Sequence, residues 1–74
     1  MKARVFVSLK PTVLDPQGQT VRGALNSLGH QSIKGVRQGK VFEIDYDSNA
    51  DLEAIARDVL TNPVIEEYRI EYIP

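Results

Sequence analysis

Residues 2–10, KARVFVSLK, alternate with a period of two, so that Ala3, Val5, Val7 and Leu9 fall on one face and Arg4, Phe6, Ser8 and Lys10 on the other. That period predicts a half-buried β-strand. Pro11 ends it, because proline has no amide hydrogen to give a ladder. Beyond a short loop, Asp15-Pro16 marks a helix start, with a capping carboxylate and proline at the first helical position. Val21, Ala24, Leu25 and Leu28 then recur at helical spacing as one apolar stripe, and Gly29 closes the helix.

The rest of the chain follows from the same two periods. A second strand is expected over 33–37, despite Gly35, and Gln38-Gly39 gives the spacing of a tight hairpin into a third. There Phe42, Ile44 and Tyr46 face one way, with Glu43, Asp45 and Asp47 opposite. Ser48 and Asp51 approximate a capping box before a helix carrying Leu52, Ile55, Ala56, Val59 and Leu60. Asn62-Pro63 stops that helix, since the residue before proline is pushed out of the α region. A last strand alternates Tyr68, Ile70 and Tyr72 against Arg69, Glu71 and Ile73. The order β-α-β-β-α-β predicts a single α+β domain over 1–74, of ferredoxin-like type. Its four-stranded antiparallel sheet would run in the order 4-1-3-2 with both helices on one face. Leu25 and Val59 are the expected core residues of the two helices. Such a fold hosts many unrelated functions.

Composition narrows the functions. With 74 residues, 42% of them apolar, one small core is possible and wholesale disorder is not expected. The chain has no cysteine, which excludes disulfides and thiolate-held metals, and its one histidine, His30, excludes a histidine-pair site. Nine basic against ten acidic residues speak against non-specific nucleic-acid binding. No apolar run approaches the roughly 20 residues of a membrane helix, so a cytoplasmic protein is expected.

Each chemical motif has a plainer explanation. Gly35, Gly39 and Lys40 resemble a clipped phosphate loop, but Val41 stands where Ser or Thr belongs and no helix follows. Gln17 and Gly18 lie in a first helical turn, where free amides can hold an anion, yet the sequence guarantees no basic cluster beside them and Gly18 equally lets loop and helix pack closely. The Glu43, Asp45 and Asp47 ladder is expected to pair with Arg4 and Lys10 rather than to catalyse, and Glu66-Glu67 to be solvated. His30 follows a helix C-terminus, where a capping role is expected. Phe6, Phe42 and Tyr46 invite comparison with RNA-recognition sheets, but Phe42 and Tyr46 alternate with acids that would repel phosphate. No catalytic, cofactor or metal site is expected.

Several blocks carry a resemblance: Leu9-Lys10-Pro11, Val13-Leu14-Asp15-Pro16-Gln17-Gly18, Ala24-Leu25 with Leu28-Gly29, Val36-Arg37 with Gly39-Lys40, and Asn62-Pro63-Val64-Ile65-Glu66 with Tyr68. In that order and over nearly the whole chain, they resemble the PurS family, the small subunit of phosphoribosylformylglycinamidine synthase. The resemblance implies a subunit without catalytic residues in an ATP-dependent ligase complex of purine biosynthesis. A glutaminase (PurQ) there releases ammonia, and a synthetase (PurL) amidates formylglycinamide ribonucleotide. ATP and glutamine are used by the complex, and no cofactor is expected on this chain. The small subunit would bridge the other two and assist ammonia transfer. The alternatives are a ligand-binding regulatory module and a purely structural homo-oligomer.

Fixed-geometry residues mark the expected partner contacts, in two segments. Lys10, Pro11, Asp15, Gln17 and Gly18 form the first, and Asn62, Glu66 and Tyr68 the second, with Arg37 and Lys40 as charged neighbours. Charge is polarised: residues 1–40 hold seven bases and one acid, residues 41–74 two bases and nine acids. A salt-resistant homo-dimer or higher oligomer is expected through apolar open-face residues such as Phe6 and Ile73, with the charged edges steering other subunits.

Overall fold

β1 (Lys2–Leu9) lies between β2 (Gly39–Asp45) and β3 (Glu66–Ile73) in a three-stranded antiparallel sheet. This is the architecture of a computed structural model that describes residues 1–74. The period of two in β1 is borne out, with Ala3, Val5 and Val7 at most 1% exposed. Register places Val5 between Phe42 and Ile70, and Ala3 between Ile44 and Tyr72, so the apolar rows of all three strands share a face.

A short second helix covers that face. α2 (Leu52–Ile55) continues directly into a π-helical turn, Ala56–Leu60. Ala56 is fully buried against Val5 and Val7, and its small side chain lets the helix approach closely. Leu60, Phe42, Ile44, Tyr68 and Ile70 pack around this cluster. The cap is Asp51 alone, whose Oδ1 accepts from Ala54 N at 3.1 Å, while Ser48 lies in the preceding turn.

α1 (Pro16–Ser27) starts and stops where the sequence indicates. Asp15 caps it by accepting from Gly18 N at 2.9 Å, and Gly29 follows the C-cap Leu28 with φ 101°. Its placement differs from expectation. α1 makes no substantial contact with any strand, and only Gly18 on it is buried. Leu25 is half-buried, and Val59 on the second helix is 75% exposed, so neither is the expected core residue.

The expected edge strand is also absent, and with it the hairpin and the fourth place in the 4-1-3-2 order. Residues 33–38 run as irregular chain. Their backbone is drawn to the start of α1: Gln38 N donates to Asp15 Oδ2 at 2.7 Å, and the Val36 carbonyl packs against Gly18. A segment held there cannot also line the outer edge of β2. The coarse class stands: an α+β chain with two helices and a three-stranded antiparallel sheet.

Candidate partner-docking platform

Three chain segments meet where β1 ends and where β2 and β3 begin. Lys10 joins two of them: its backbone amide donates to Ile65 O at 2.8 Å and its Nζ to Pro63 O at 2.7 Å. Arg37 brings in the third. Its guanidinium donates to Lys10 O at 2.9 Å, Val13 O at 3.1 Å and Leu9 O at 3.4 Å. A planar five-donor group suits three neighbouring carbonyls, of which Lys10 O also accepts from Val13 N.

The turn into β3 is fixed locally. Asn62 Oδ1 accepts from Val64 N at 3.1 Å, and Glu66 Oε1 accepts from Asn62 N at 2.8 Å. The other oxygen of Glu66 lies 3.8 Å from Lys40 Nζ, across the end of the central strand. Asp15, Gln17, Gln38, Lys40 and Glu66 line an open cleft of about 480 Å³ at this end. Pro11 and Gln17 are exposed there. Tyr68 stands apart, its hydroxyl donating to Glu53 Oε2 at 2.9 Å. That bond to a carboxylate, together with partial burial, holds the phenol above its ordinary pKa.

Nine of the ten expected contact residues therefore gather at one end of the sheet. Lys10, Asp15, Gly18, Arg37, Lys40, Asn62 and Glu66 all have internal partners there, so they set the shape of the platform. The sequence reading missed the apolar residues that this frame displays. Leu14 is 64% exposed and Val64 77% exposed. The signal was available: each lies in a turn beside fixed-geometry residues, with no strand or helix to bury it.

The open face of the sheet is different in kind. Arg4 Nε lies 3.3 Å from Glu43 and Arg4 Nη1 lies 3.6 Å from Glu71, so one cation joins the acids of both flanking strands. The expected ladder pairing holds for Arg4, whereas Lys10 is committed to Pro63. Phe6 lies on this face beneath the Arg69 guanidinium, 4.3 Å from its ring centre, and Ile73 sits opposite Lys2. No group of histidine, cysteine or carboxylate side chains is arranged to hold a metal. His30 is exposed past the end of α1, where its carbonyl accepts from Asn26 Nδ2 at 2.8 Å. No helix is long and apolar enough to cross a membrane.

Comparison with known proteins gives this arrangement a family. The model of PurS, phosphoribosylformylglycinamidine (FGAM) synthase, matches residues 2–74. The chain belongs to the PurS family. It is 49% identical over 72 residues to the phosphoribosylformylglycinamidine synthase subunit PurS of Mycobacterium leprae, covering 93% of this chain and 91% of that protein. The crystal structure of Bacillus subtilis PurS superposes with a TM-score of 0.86 at 41% identity, over 95% of this chain and 94% of that one. A chain of the PurLQS structure from Thermotoga maritima shares the fold, with a TM-score of 0.85 at 24% identity and coverage of 97% and 95%. The PurS sequence blocks at Leu9–Gly18 and Asn62–Tyr68 are thus the same two segments that build the platform.

Asp15 makes the platform sensitive to acid. The backbone bonds from Gln38 and then Gly18 hold its carboxyl below the ordinary value. Its contribution to stability is then complete above the ordinary carboxylate pKa of about 3.9 and is lost as pH falls through the lower folded value. Asp15→Asn should be less stable than wild type at neutral pH, and the gap in urea midpoints should close as pH falls below about 4. A gap that stays constant through that range would assign the loss to something other than this carboxylate.

Proposed function

We propose that the chain is the non-catalytic small subunit of a phosphoribosylformylglycinamidine synthase, docking a glutaminase (PurQ) and a synthetase (PurL) through the platform. The complex would act in the cytoplasm, in de novo purine biosynthesis. It would convert formylglycinamide ribonucleotide, glutamine, ATP and water to the formylglycinamidine, glutamate, ADP and phosphate. This chain would bind none of these itself. Its part would be to hold the two partners in register so that ammonia passes between them without meeting bulk water, where it is protonated and lost as a nucleophile. It would do so as a homo-dimer or higher oligomer.

The observation that carries this reading is the platform: exposed Leu14 and Val64 held on a frame cross-tied by Lys10, Arg37 and Asp15. A surface whose backbone is already ordered loses little further entropy on docking. Reconstitution from separate subunits tests it. Adding this chain to PurL and PurQ should raise the glutamine-dependent rate at least tenfold, and the rate with added ammonium salts much less. Leu14→Asp should weaken assembly roughly tenfold or more while leaving the melting temperature unchanged, because Leu14 is 64% exposed. Full glutamine-dependent rate in the absence of the chain would overturn the bridging role.

A further inference from the structure

Two turns carry the exposed apolar residues of the platform, and one side chain reaches the supports of both. Leu14 and Val64 are each fixed through the backbone around them rather than through their own side chains. Before Leu14, Val13 O accepts from Arg37 Nη1 at 3.1 Å; after it, Asp15 Oδ2 accepts from Gln38 N at 2.7 Å. The consecutive residues Arg37 and Gln38 thus hold Leu14 from both sides. Around Val64, Pro63 O accepts from Lys10 Nζ at 2.7 Å and Ile65 O from Lys10 N at 2.8 Å. Lys10 does for the second turn what Arg37 and Gln38 do for the first.

The two supports meet at Arg37. Its Nη2 donates to Lys10 O at 2.9 Å and to Leu9 O at 3.4 Å, so the guanidinium that fixes the Leu14 turn also fixes the residue that holds the Val64 turn. Val13 N closes onto Lys10 O at 2.9 Å, a single bond about which the turn can still pivot. Residues 33–38 form no strand, so no ladder sets the relation either. A guanidinium is suited to the task, because its donors point in fixed directions from one plane, whereas an ammonium is a point charge on a flexible stem. Arg37 is exposed, and its bonds replace bonds to water, so their net gain in stability is small. What they supply is direction and distance.

We propose that Arg37 is a positioning residue for ammonia transfer: it fixes the Leu14 and Val64 turns relative to each other, and each turn docks a different one of the two partner subunits. The proposal rests on the bridging role of the preceding section and adds the residue that sets the span of the bridge. A displacement of about 1 Å far from the chemistry can cost on the order of 100-fold in rate. Ammonia that misses the synthetase reaches water and is protonated. Loss of Arg37 therefore shows as uncoupling, with glutamine hydrolysed and no amidation following, rather than as weaker assembly.

Arg37→Lys keeps the charge and loses the plane, and Arg37→Ala loses both. With either variant chain at saturating concentration over PurL and PurQ, the glutamate formed per formylglycinamidine should rise about fivefold or more above the wild-type ratio. Both variants should melt within a few degrees of wild type. A purely structural role would lower glutamate and formylglycinamidine together, and more chain would restore both. That result, a wild-type ratio at saturation, or two variants that melt far below wild type would each overturn the proposal. The geometry can also be read without the partners. The chain has no cysteine, so Leu14→Cys with Val64→Cys places two spin labels at the anchors. Labelled chain diluted into unlabelled chain reports the distance within one copy. A narrow distribution is expected with Arg37 in place and a distinctly broader one with Arg37→Lys, and equal widths would overturn the proposal. A wild-type chain that adds nothing to the glutamine-dependent rate is a separate failure, that of the bridging role itself, whatever the label distances.

Discussion

Gly18→Val is expected to lower the melting temperature by roughly 15 °C and to release residues 33–38 from α1. A side chain at position 18 would start inside the Val36 carbonyl group and against the Asp15 carboxylate. Neither neighbour can yield cheaply. The two residues that follow Val36 are both tied down, Arg37 to the carbonyls of β1 and its loop and Gln38 to Asp15. Asp15 is itself the helix cap. Overpacking a site whose walls are backbone costs about 3 kcal/mol or more, and 1 kcal/mol is worth about 4–8 °C in a domain of this size. Gly23 is the control, because a methyl group there meets nothing within 4 Å. Gly23→Ala should raise the melting temperature by a few degrees through helix propensity alone, worth about 1 kcal/mol. Paired thermal melts decide the matter. A Gly18→Val chain melting within two degrees of wild type would show that the close approach is not needed.

That contact also explains what could be read from the sequence and what could not. β1 is marked by its own period of two, whereas the Asp15-Pro16 start, the Gly29 stop and the Asn62-Pro63 stop depend on interactions within a few residues, and each lies where the pattern put it. Residues 33–37 have the composition of a strand, but Val36 lies against Gly18 and the next residue but one, Gln38, bonds to Asp15, about twenty positions earlier. No local period carries that competition. Leu25 and Val59 fail for a related reason. Helical spacing shows that a stripe exists, not which surface covers it, and the pattern reads the same for a core and for an interface. The platform was half legible. Fixed-geometry residues such as Pro11, Asp15 and Asn62 marked its position. Their roles as internal ties, and the display of Leu14 and Val64, required the third dimension.

Core and interface should separate cleanly in a pair of truncations. Val5→Ala is expected to lower the melting temperature by about 10 °C at every protein concentration. Val5 is fully buried at the centre of the sheet, in contact with Val7 and Ala56. Removing two methyl groups there forfeits about 0.8 kcal/mol each, and the cavity left behind adds to that. About 2 kcal/mol is a large part of the roughly 4–11 kcal/mol available to a domain of this length. The loss falls on a core with only four other buried apolar residues, Ala3, Val7, Leu52 and Ala56. Leu25→Ala removes more atoms from a half-buried site on a helix without substantial strand contact, so it should change the melting temperature little in dilute solution. At concentrations where the dimer is populated the difference should grow, because anything that binds only the folded chain raises stability by mass action. Melts at dilutions spanning about a hundredfold therefore distinguish the two sites. Equal, concentration-independent losses for Val5→Ala and Leu25→Ala would place Leu25 in the core of its own chain.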